Sequence, residues 1–460
     1  MEYQAFIQSK AILAQPAGFT VADDRLSPHA FDYQRAITKW ALYRGKAAIF
    51  ARYGTGKTII QLDWASNVAR ETDGNVLIVA PLAVARQTER EGRKFGLPVT
   101  LCRTQSDLAP GVNVTNYELL HKFDPRLFSG VALDESSILK HIDSSTRQML
   151  LDSFAQTPYK LCCTATPSPN DYTELGGHSA FLNVMSNAEM LSSFFFHDGG
   201  DTSKWTLMHH AREAFWKWVA SWAVMMRTPA DLGFDASRYT LPALTMHEHI
   251  VESTEATQGY LFAMEALTLT DRRSARRGSL TERCQVAADL ANGSTDQWLI
   301  WCNLNDEGAE LKRLIPDAVE VKGADSPEHK ERAMMGFVDG SVRVLISKPS
   351  ICGFGMNFQN CHHMAFVGLS DSFEEMDQAI HRCHRFGQTN DVQCHVIVSS
   401  QEGSVVRNIE RKRAANQAMG DDLAAHVAIE LDMQQSYRPT YHAKHILQIP
   451  TWLVTEKEAV

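Results

Sequence analysis

Ala47-Ala48-Ile49-Phe50-Ala51-Arg52-Tyr53-Gly54-Thr55-Gly56-Lys57-Thr58-Ile59-Ile60-Gln61-Leu62 decides the reading of this chain. The apolar run predicts a strand, the glycines a tight loop, and the residues after Lys57 the start of a helix. That succession is the setting in which a loop cradles phosphate. Gly54 and Gly56 let the backbone approach an anion. The N–H groups of Thr55 and its neighbours, with those of the helix start, then point at it. Lys57 would neutralise β/γ-phosphate oxygens, and the Thr58 hydroxyl would ligate Mg²⁺. The general pattern has Gly where this chain has Ala51, a mild departure. A bare glycine turn would need neither the strand before it nor the helix after it.

The next strand-like stretches carry the partners such a loop requires. Gly130-Val131-Ala132-Leu133-Asp134-Glu135-Ser136-Ser137 is a buried-strand pattern that ends on two adjacent carboxylates. Open α/β sheets place their sites at that end of a strand. Asp134 would hold Mg²⁺, and Glu135 would orient and deprotonate an attacking water. Upstream, Phe31-Asp32-Tyr33-Gln34-Arg35 opens an amphipathic stretch. The Gln34 amide both donates and accepts, which suits the edge of adenine. Lys160-Leu161-Cys162-Cys163-Thr164-Ala165-Thr166-Pro167 reads either as a strand whose hydroxyls sense a γ-phosphate or as a strand closed by a proline turn.

Val76-Leu77-Ile78-Val79-Ala80-Pro81 reads as a buried parallel strand. The helix after it holds Arg86, Arg90, Arg93 and Lys94, suited either to a phosphate backbone or to a solvated face. Residues 112–118 read as another strand. Further on, a second strand–helix series begins at Trp298-Leu299-Ile300-Trp301-Cys302 and continues through residues 342–346 and 364–367. It leads to Gln378-Ala379-Ile380-His381-Arg382-Cys383-His384-Arg385-Phe386-Gly387-Gln388. The spacing of Arg382 and Arg385 predicts one shared helix face, from which paired arginines can clamp phosphoryl charge.

Between the two series the pattern changes. Phe215-Trp216-Lys217-Trp218-Val219-Ala220-Ser221-Trp222 predicts an aromatic helix that serves the core rather than unpaired bases. Arg272, Arg273, Arg276 and Arg277 form a dense basic cluster able to meet phosphates.

Composition sets the frame. The chain has 460 residues, 44% hydrophobic and 22% charged, enough for two or three domains with their own cores. A formal net charge of −9 does not advertise nucleic-acid binding, although a local basic groove can sit on an acidic body. None of the nine cysteines forms a Cys-x-x-Cys pair, so neither a zinc ribbon nor a disulfide framework is expected. Cys361-His362-His363 also lacks standard metal-ligand spacing. No signal peptide or membrane-spanning run is apparent, and a cytoplasmic setting in a bacterial or phage-infected cell is expected.

In order along the chain, Gln34, the Gly54–Thr58 loop, Asp134-Glu135, Thr164-Ala165-Thr166-Pro167, Gly353-x-Gly355-x-Asn357 and Gln378 to Gln388 resemble the motifs of helicase superfamily two. The ending His-Arg-Phe-Gly-Gln is similar to the Swi/Snf-type branch, and the compact layout to helicases encoded by bacteriophages and mobile elements. The resemblance implies two tandem RecA-like domains, each a parallel sheet flanked by helices, joined by a largely helical insertion. Its boundaries would be an extension over 1–29, lobe one over 30–185, the insertion over 186–285, lobe two over 286–425 and a tail over 426–460. ATP and Mg²⁺ would sit in the inter-lobe cleft. Lobe one would supply Gln34, Lys57, Thr58, Asp134 and Glu135. Lobe two would supply Gly355, Gln378, Arg382 and Arg385. Arg86, Tyr117, Asn357, Arg276 and Arg277 would meet nucleic acid. Hydrolysis would drive movement on DNA, duplex or branched, with a phage- or element-encoded nuclease or methyltransferase as a protein partner. Ser136-Ser137 replace the usual Ala-His or Ala-Asp, and Ala165 replaces a Gly common in the Swi/Snf branch.

Overall fold

The apolar runs pair into two separate parallel sheets. The computed structural model describes residues 13–140, 144–168, 171–198, 201–239, 241–252, 277–352, 357–370, 372–400, 407–409, 411–413 and 418. Helix α1 (Asp32–Arg44) leads into strand β1 (Lys46–Ala51), which the glycine loop joins to helix α2 (Lys57–Thr72). Strand β2 (Asn75–Ala80), helix α3 (Leu82–Lys94) and strands β3 (Thr100–Leu101), β4 (Val112–Asn116), β5 (Phe128–Asp134) and β6 (Tyr159–Thr164) follow. The run expected over 112–118 stops at Asn116 because its side chain accepts from Leu119 N and caps a 3₁₀ helix.

The first sheet has the order β3-β4-β2-β5-β6-β1-β9, in which β9 is Ala223–Met226. All its pairs are parallel, and every strand except the half-buried edge strand β3 is buried along nearly its whole length. Strands β1, β5 and β6 lie side by side, so the glycine loop, Asp134-Glu135 and the end of β6 share one edge.

The described residues of the stretch expected as a helical insertion over 186–285 are divided between the two lobes. The stretch begins with a short helix, Asn187–Phe194, followed by an antiparallel hairpin, β7 (Phe195–Asp198) and β8 (Asp201–Leu207). The helix at Arg212–Ala220 then inserts Phe215, Trp216 and Trp218 into the first core, where Trp222 joins them. Burying such large rings draws the chain back onto lobe one and lays β9 beside β1. Strand β10 (Leu244–Val251) belongs to the second sheet instead.

That second sheet has the order β10-β15-β14-β11-β13-β12, again wholly parallel. Strands β11 (Trp298–Cys302), β12 (Ala318–Val321), β13 (Val344–Ser347), β14 (His363–Val367) and β15 (Val392–Ser399) form it with β10. Alternation divides its two apolar faces. Leu299 and Trp301 pack with Phe337 and Phe366 on one side, and Trp298, Ile300 and Cys302 with Ala365 and Val367 on the other. The buried ion pair Arg283–Glu307, 2.8 Å, ties the helix at Leu280–Asn292 to the one at Asn305–Leu314. Among the described residues no helix is long and apolar enough to cross a membrane.

Candidate nucleotide site between the two lobes

Lobe one builds its half of the site from hydrogen bonds. Gly54 and Gly56 take positive φ angles of 80° and 82°, conformations costly for other residues. A Cβ on Gly56 would collide with Gln34 Nε2. That nitrogen donates to Thr55 O at 3.1 Å and to Tyr33 OH at 2.9 Å, while Gln34 Oε1 accepts from Phe31 N at 2.9 Å. Gln34 therefore closes the start of α1 and holds the loop in one contact set. Tyr33 OH also donates to Thr55 O at 2.8 Å.

Lys57 is the first residue of α2 and Thr58 the second. The Lys57 ammonium donates to Ala51 O at 2.8 Å and lies 5.0 Å from the centre of the Tyr53 ring. Burial pulls its pKa below the ordinary lysine value, and Glu135 and Asp134 push it back up. Burial lifts the Asp134 carboxyl above the usual carboxylate range, opposed first by a 2.8 Å hydrogen bond from Gln61 Nε2 and then by Lys57. Gln61 lies one turn beyond Lys57 on the same helix face, a signal the sequence contained. Burial lifts Glu135 as well, with Lys57 opposing and Asp134 adding to the rise. Glu135 has φ 55°, a left-handed conformation that costs on the order of 1–3 kcal/mol and is found where function demands it. Its Oε2 is buried without a hydrogen-bond partner among the described residues.

Lobe two completes the arrangement differently from the expected helix face. Helix Phe373–Ile380 ends before the arginines, and Arg382 and Arg385 lie in the turn after it. Arg382 N donates to Ala379 O at 3.2 Å, a 3₁₀-type bond, and the Arg382 carbonyl accepts from Phe358 N at 2.9 Å. Gly387, at φ 95°, turns the chain onward. The turn still faces lobe one. A Cβ on Gly54 would stand 3.0 Å from Phe386 N and 3.5 Å from Arg385 Cβ. His381 stacks on Tyr53 with ring centres 5.1 Å apart, and its Nε2 accepts from Arg52 Nη2 at 3.3 Å. Burial lowers the Arg382 pKa, while Tyr53, Glu135 and Asp134 raise it, which places its guanidinium in the field of both carboxylates. Arg385 is drawn down to about 10 by burial, with Arg382 beside it.

The remaining expected residues fall around a cleft of about 1220 Å³ between the lobes. Arg86, Tyr117, Glu135, Asn357 and Gln378 line it. Tyr117 is anchored within lobe one, because its hydroxyl donates to Asp134 O at 2.7 Å. Arg277 is exposed, while Gly355 and Arg276 lie outside the described residues. Asp296, His362 and His363 bring three donor atoms within 4.8 Å of one another, a grouping that sequence spacing did not predict because Asp296 comes from another strand's approach. Sequence spacing likewise gives no role to Tyr53, Lys140 or Glu374.

Residues 282–387 match the family model of the helicase conserved C-terminal domain. RNA polymerase-associated protein RapA from Actinobacillus pleuropneumoniae serotype 5b (strain L20) is 30% identical over 114 residues, covering 23% of this chain and 12% of that protein. RapA from serotype 3 (strain JL03) and serotype 7 (strain AP76) match equally. The chain thus aligns with about an eighth of the length of these curated relatives. The Sulfolobus solfataricus SWI2/SNF2 ATPase core, solved in complex with dsDNA, is similar over 91% of this chain and 98% of its own, at 17% identity and a TM-score of 0.42. That likeness is too distant to bear on activity. Within these bounds, residues 282–387 are similar to the C-terminal domain of helicases.

Proposed function

We propose that this protein is an ATP-dependent nucleic-acid translocase that couples hydrolysis between its lobes to movement on DNA. One observation carries the reading: the turn of lobe two that bears Arg382 and Arg385 packs against the glycine loop of lobe one, where a Cβ on Gly54 would stand 3.0 Å from Phe386 N and His381 stacks on Tyr53. A site split in this way changes when the lobes move, which is what a motor needs.

The residues fit a magnesium–triphosphate. Two left-handed glycines shape the loop, Lys57 begins the helix, and Glu135 Oε2 and Arg385 Nε are buried polar atoms without hydrogen-bond partners among the described residues. Thr58 and Asp134 would hold Mg²⁺, which supplies charge neutralisation at the β- and γ-oxygens when bound. Lys57 exchanges its bond to Ala51 O for phosphate oxygens, and Glu135 takes the proton of the attacking water. Arg382 and Arg385 neutralise charge developing on the transferred phosphoryl group. Arg86 and Asn357 face the cleft that would take the nucleic-acid backbone, and Arg276 and Arg277 extend the footprint. Closeness to phage and mobile-element helicases rests on the motif resemblance alone.

The test is phosphate release with single-stranded, duplex and forked DNA and RNA at fixed salt, since affinities shift steeply with ionic strength. DNA-stimulated turnover is expected. Glu135→Gln should lower it roughly 10²–10⁴-fold, the usual worth of a general base. Stimulation by RNA alone would reassign the substrate, and Lys57→Ala turning over at the wild-type rate would refute the site.

A further inference from the structure

Thr166 and Lys140 both reach across from lobe one to a single carboxylate of lobe two. Thr166 Oγ1 donates to Glu374 Oε1 at 3.1 Å, and the Lys140 ammonium pairs with Glu374 Oε2. The Lys140 and Glu374 side chains are each only 13% exposed. Pairs on open surface contribute little, but a carboxylate this enclosed is costly to leave without its cation.

The elements behind these contacts give them direction. Lys140 ends the 3₁₀ segment Ser136–Lys140 that directly follows Glu135. Thr166 lies just beyond Thr164, the last residue of β6, and Thr166 N donates to Thr164 Oγ1 at 3.2 Å. Glu374 is the second residue of helix Phe373–Ile380, and the turn that follows the helix holds Arg382 and Arg385. At 1.5 Å per residue this helix is a rigid rod on the order of 10 Å long. Fixing its first turn against the loops that leave β5 and β6 therefore fixes where its far end presents the arginines.

We propose that Glu374 is a positioning residue for hydrolysis, the strut through which the carboxylate loop and the β6 loop of lobe one aim the arginine turn of lobe two. The proposal rests on the ATPase reading given above. The role assigned to Glu374 acts through its contacts with Lys140 and Thr166 rather than on the reacting atoms. It supplies a link to lobe two that does not use Ser136 or Ser137.

The experiment compares wild type with Glu374→Gln, Lys140→Met and the charge exchange Lys140→Glu/Glu374→Lys. DNA-stimulated kcat, KM for ATP and melting temperature are measured for each. Glu374→Gln is expected to lower kcat at least tenfold, measured well below its melting temperature, while KM stays within threefold, and the charge exchange is expected to recover much of the loss. A merely structural pair would move the melting temperature and leave the ratio of kcat to KM unchanged. Spin labels at Arg103→Cys and Arg313→Cys, exposed residues on opposite lobes, report the lobe separation without turnover. The distance distribution should broaden in Glu374→Gln. Wild-type kcat together with an unchanged distribution would overturn the proposal. A wild-type protein without ATPase activity would sink the functional reading instead, and the label distances alone would then decide whether Glu374 holds the lobes.

Discussion

The two banks of the candidate nucleotide site are built on opposite principles. Lobe one fixes its groups with neutral hydrogen bonds: Gln34 and Tyr33 hold Thr55 O, Gln61 holds Asp134, and Tyr117 holds the backbone beneath it. Lobe two presents charge on a turn, with Arg382 in the field of the acids opposite. The first bank is complete within its own sheet. The second acquires its chemical meaning only against its partner. Binding energy can therefore reside in one lobe while the timing of hydrolysis depends on the other, a division that suits coupling chemistry to movement.

The strongest way to break this comparison is to remove each bank's charge in turn. Arg382→Ala or Arg385→Ala should cost turnover about 10³-fold or more, the scale of an arginine finger, while ATP still binds within a few-fold of wild type. Lys57→Ala should lose both binding and turnover. Fluorescent-nucleotide titration beside phosphate release separates the outcomes. If Arg382→Ala abolishes binding as well, the division of labour fails.

A finer probe uses glycines. Gly54→Ala places a methyl 3.0 Å from Phe386 N and strains a φ of 80°, whereas Gly96→Ala strains a φ of 66° with nothing within 4 Å. Both should lose stability of roughly 1–2 kcal/mol from the left-handed backbone. Only Gly54→Ala should also lower turnover, about tenfold or more, because only its methyl meets the opposite bank. Equal turnover in the two variants would mean that the loop and the arginine turn do not need their close approach.

The smallest effects follow pH. Burial holds Glu135 above the ordinary carboxylate range, so the base is lost as pH falls and is lost earlier than a surface glutamate would be. Turnover should decline on the acid side accordingly. Stability should fall over a wider window. Burial depresses His178, in lobe one, from 6.5 to about 3 and His395, in lobe two, from 6.5 to about 4. The unfolded chain therefore takes up these protons first, and the stabilisation present above about 6.5 drains away as pH falls toward those values. Melting curves from pH 7.5 to 4 check this, and His178→Gln should flatten the profile if the assignment is right.

Much of lobe one could be read from sequence because its signals are local. A strand, two glycines, a lysine and a helix start are contiguous, and the acids end an apolar run. Gln34 was visible as a residue, but its grip on Thr55 was not, since that bond joins segments 21 residues apart. In lobe two the arginines were recognisable while their conformation was not. Beyond Ile380 the backbone tightens, with Arg382 N donating to Ala379 O and the Arg382 carbonyl accepting from Phe358 N of a distant segment, and no spacing rule contains that contact. Glu374 looked like an ordinary first-turn acid favourable to the helix dipole. Its partners, 208 and 234 residues away in sequence, give it another role. The aromatic stretch was correctly assigned to a core, but its length hid that it carries a strand home to the first sheet.

That returning strand has a practical consequence. Strand β9 pairs with β1 from Ala48↔Ala223 to Ala51↔Met226, and Arg52 N donates to Met226 O at 2.9 Å. The phosphate loop is thus flanked on one side by chain that arrives more than a hundred residues later. A fragment ended near residue 185 would leave β1 as a naked edge beside the glycines and take away the tryptophans that seal it, inviting aggregation. The first sheet is therefore complete only once Met226 has been made.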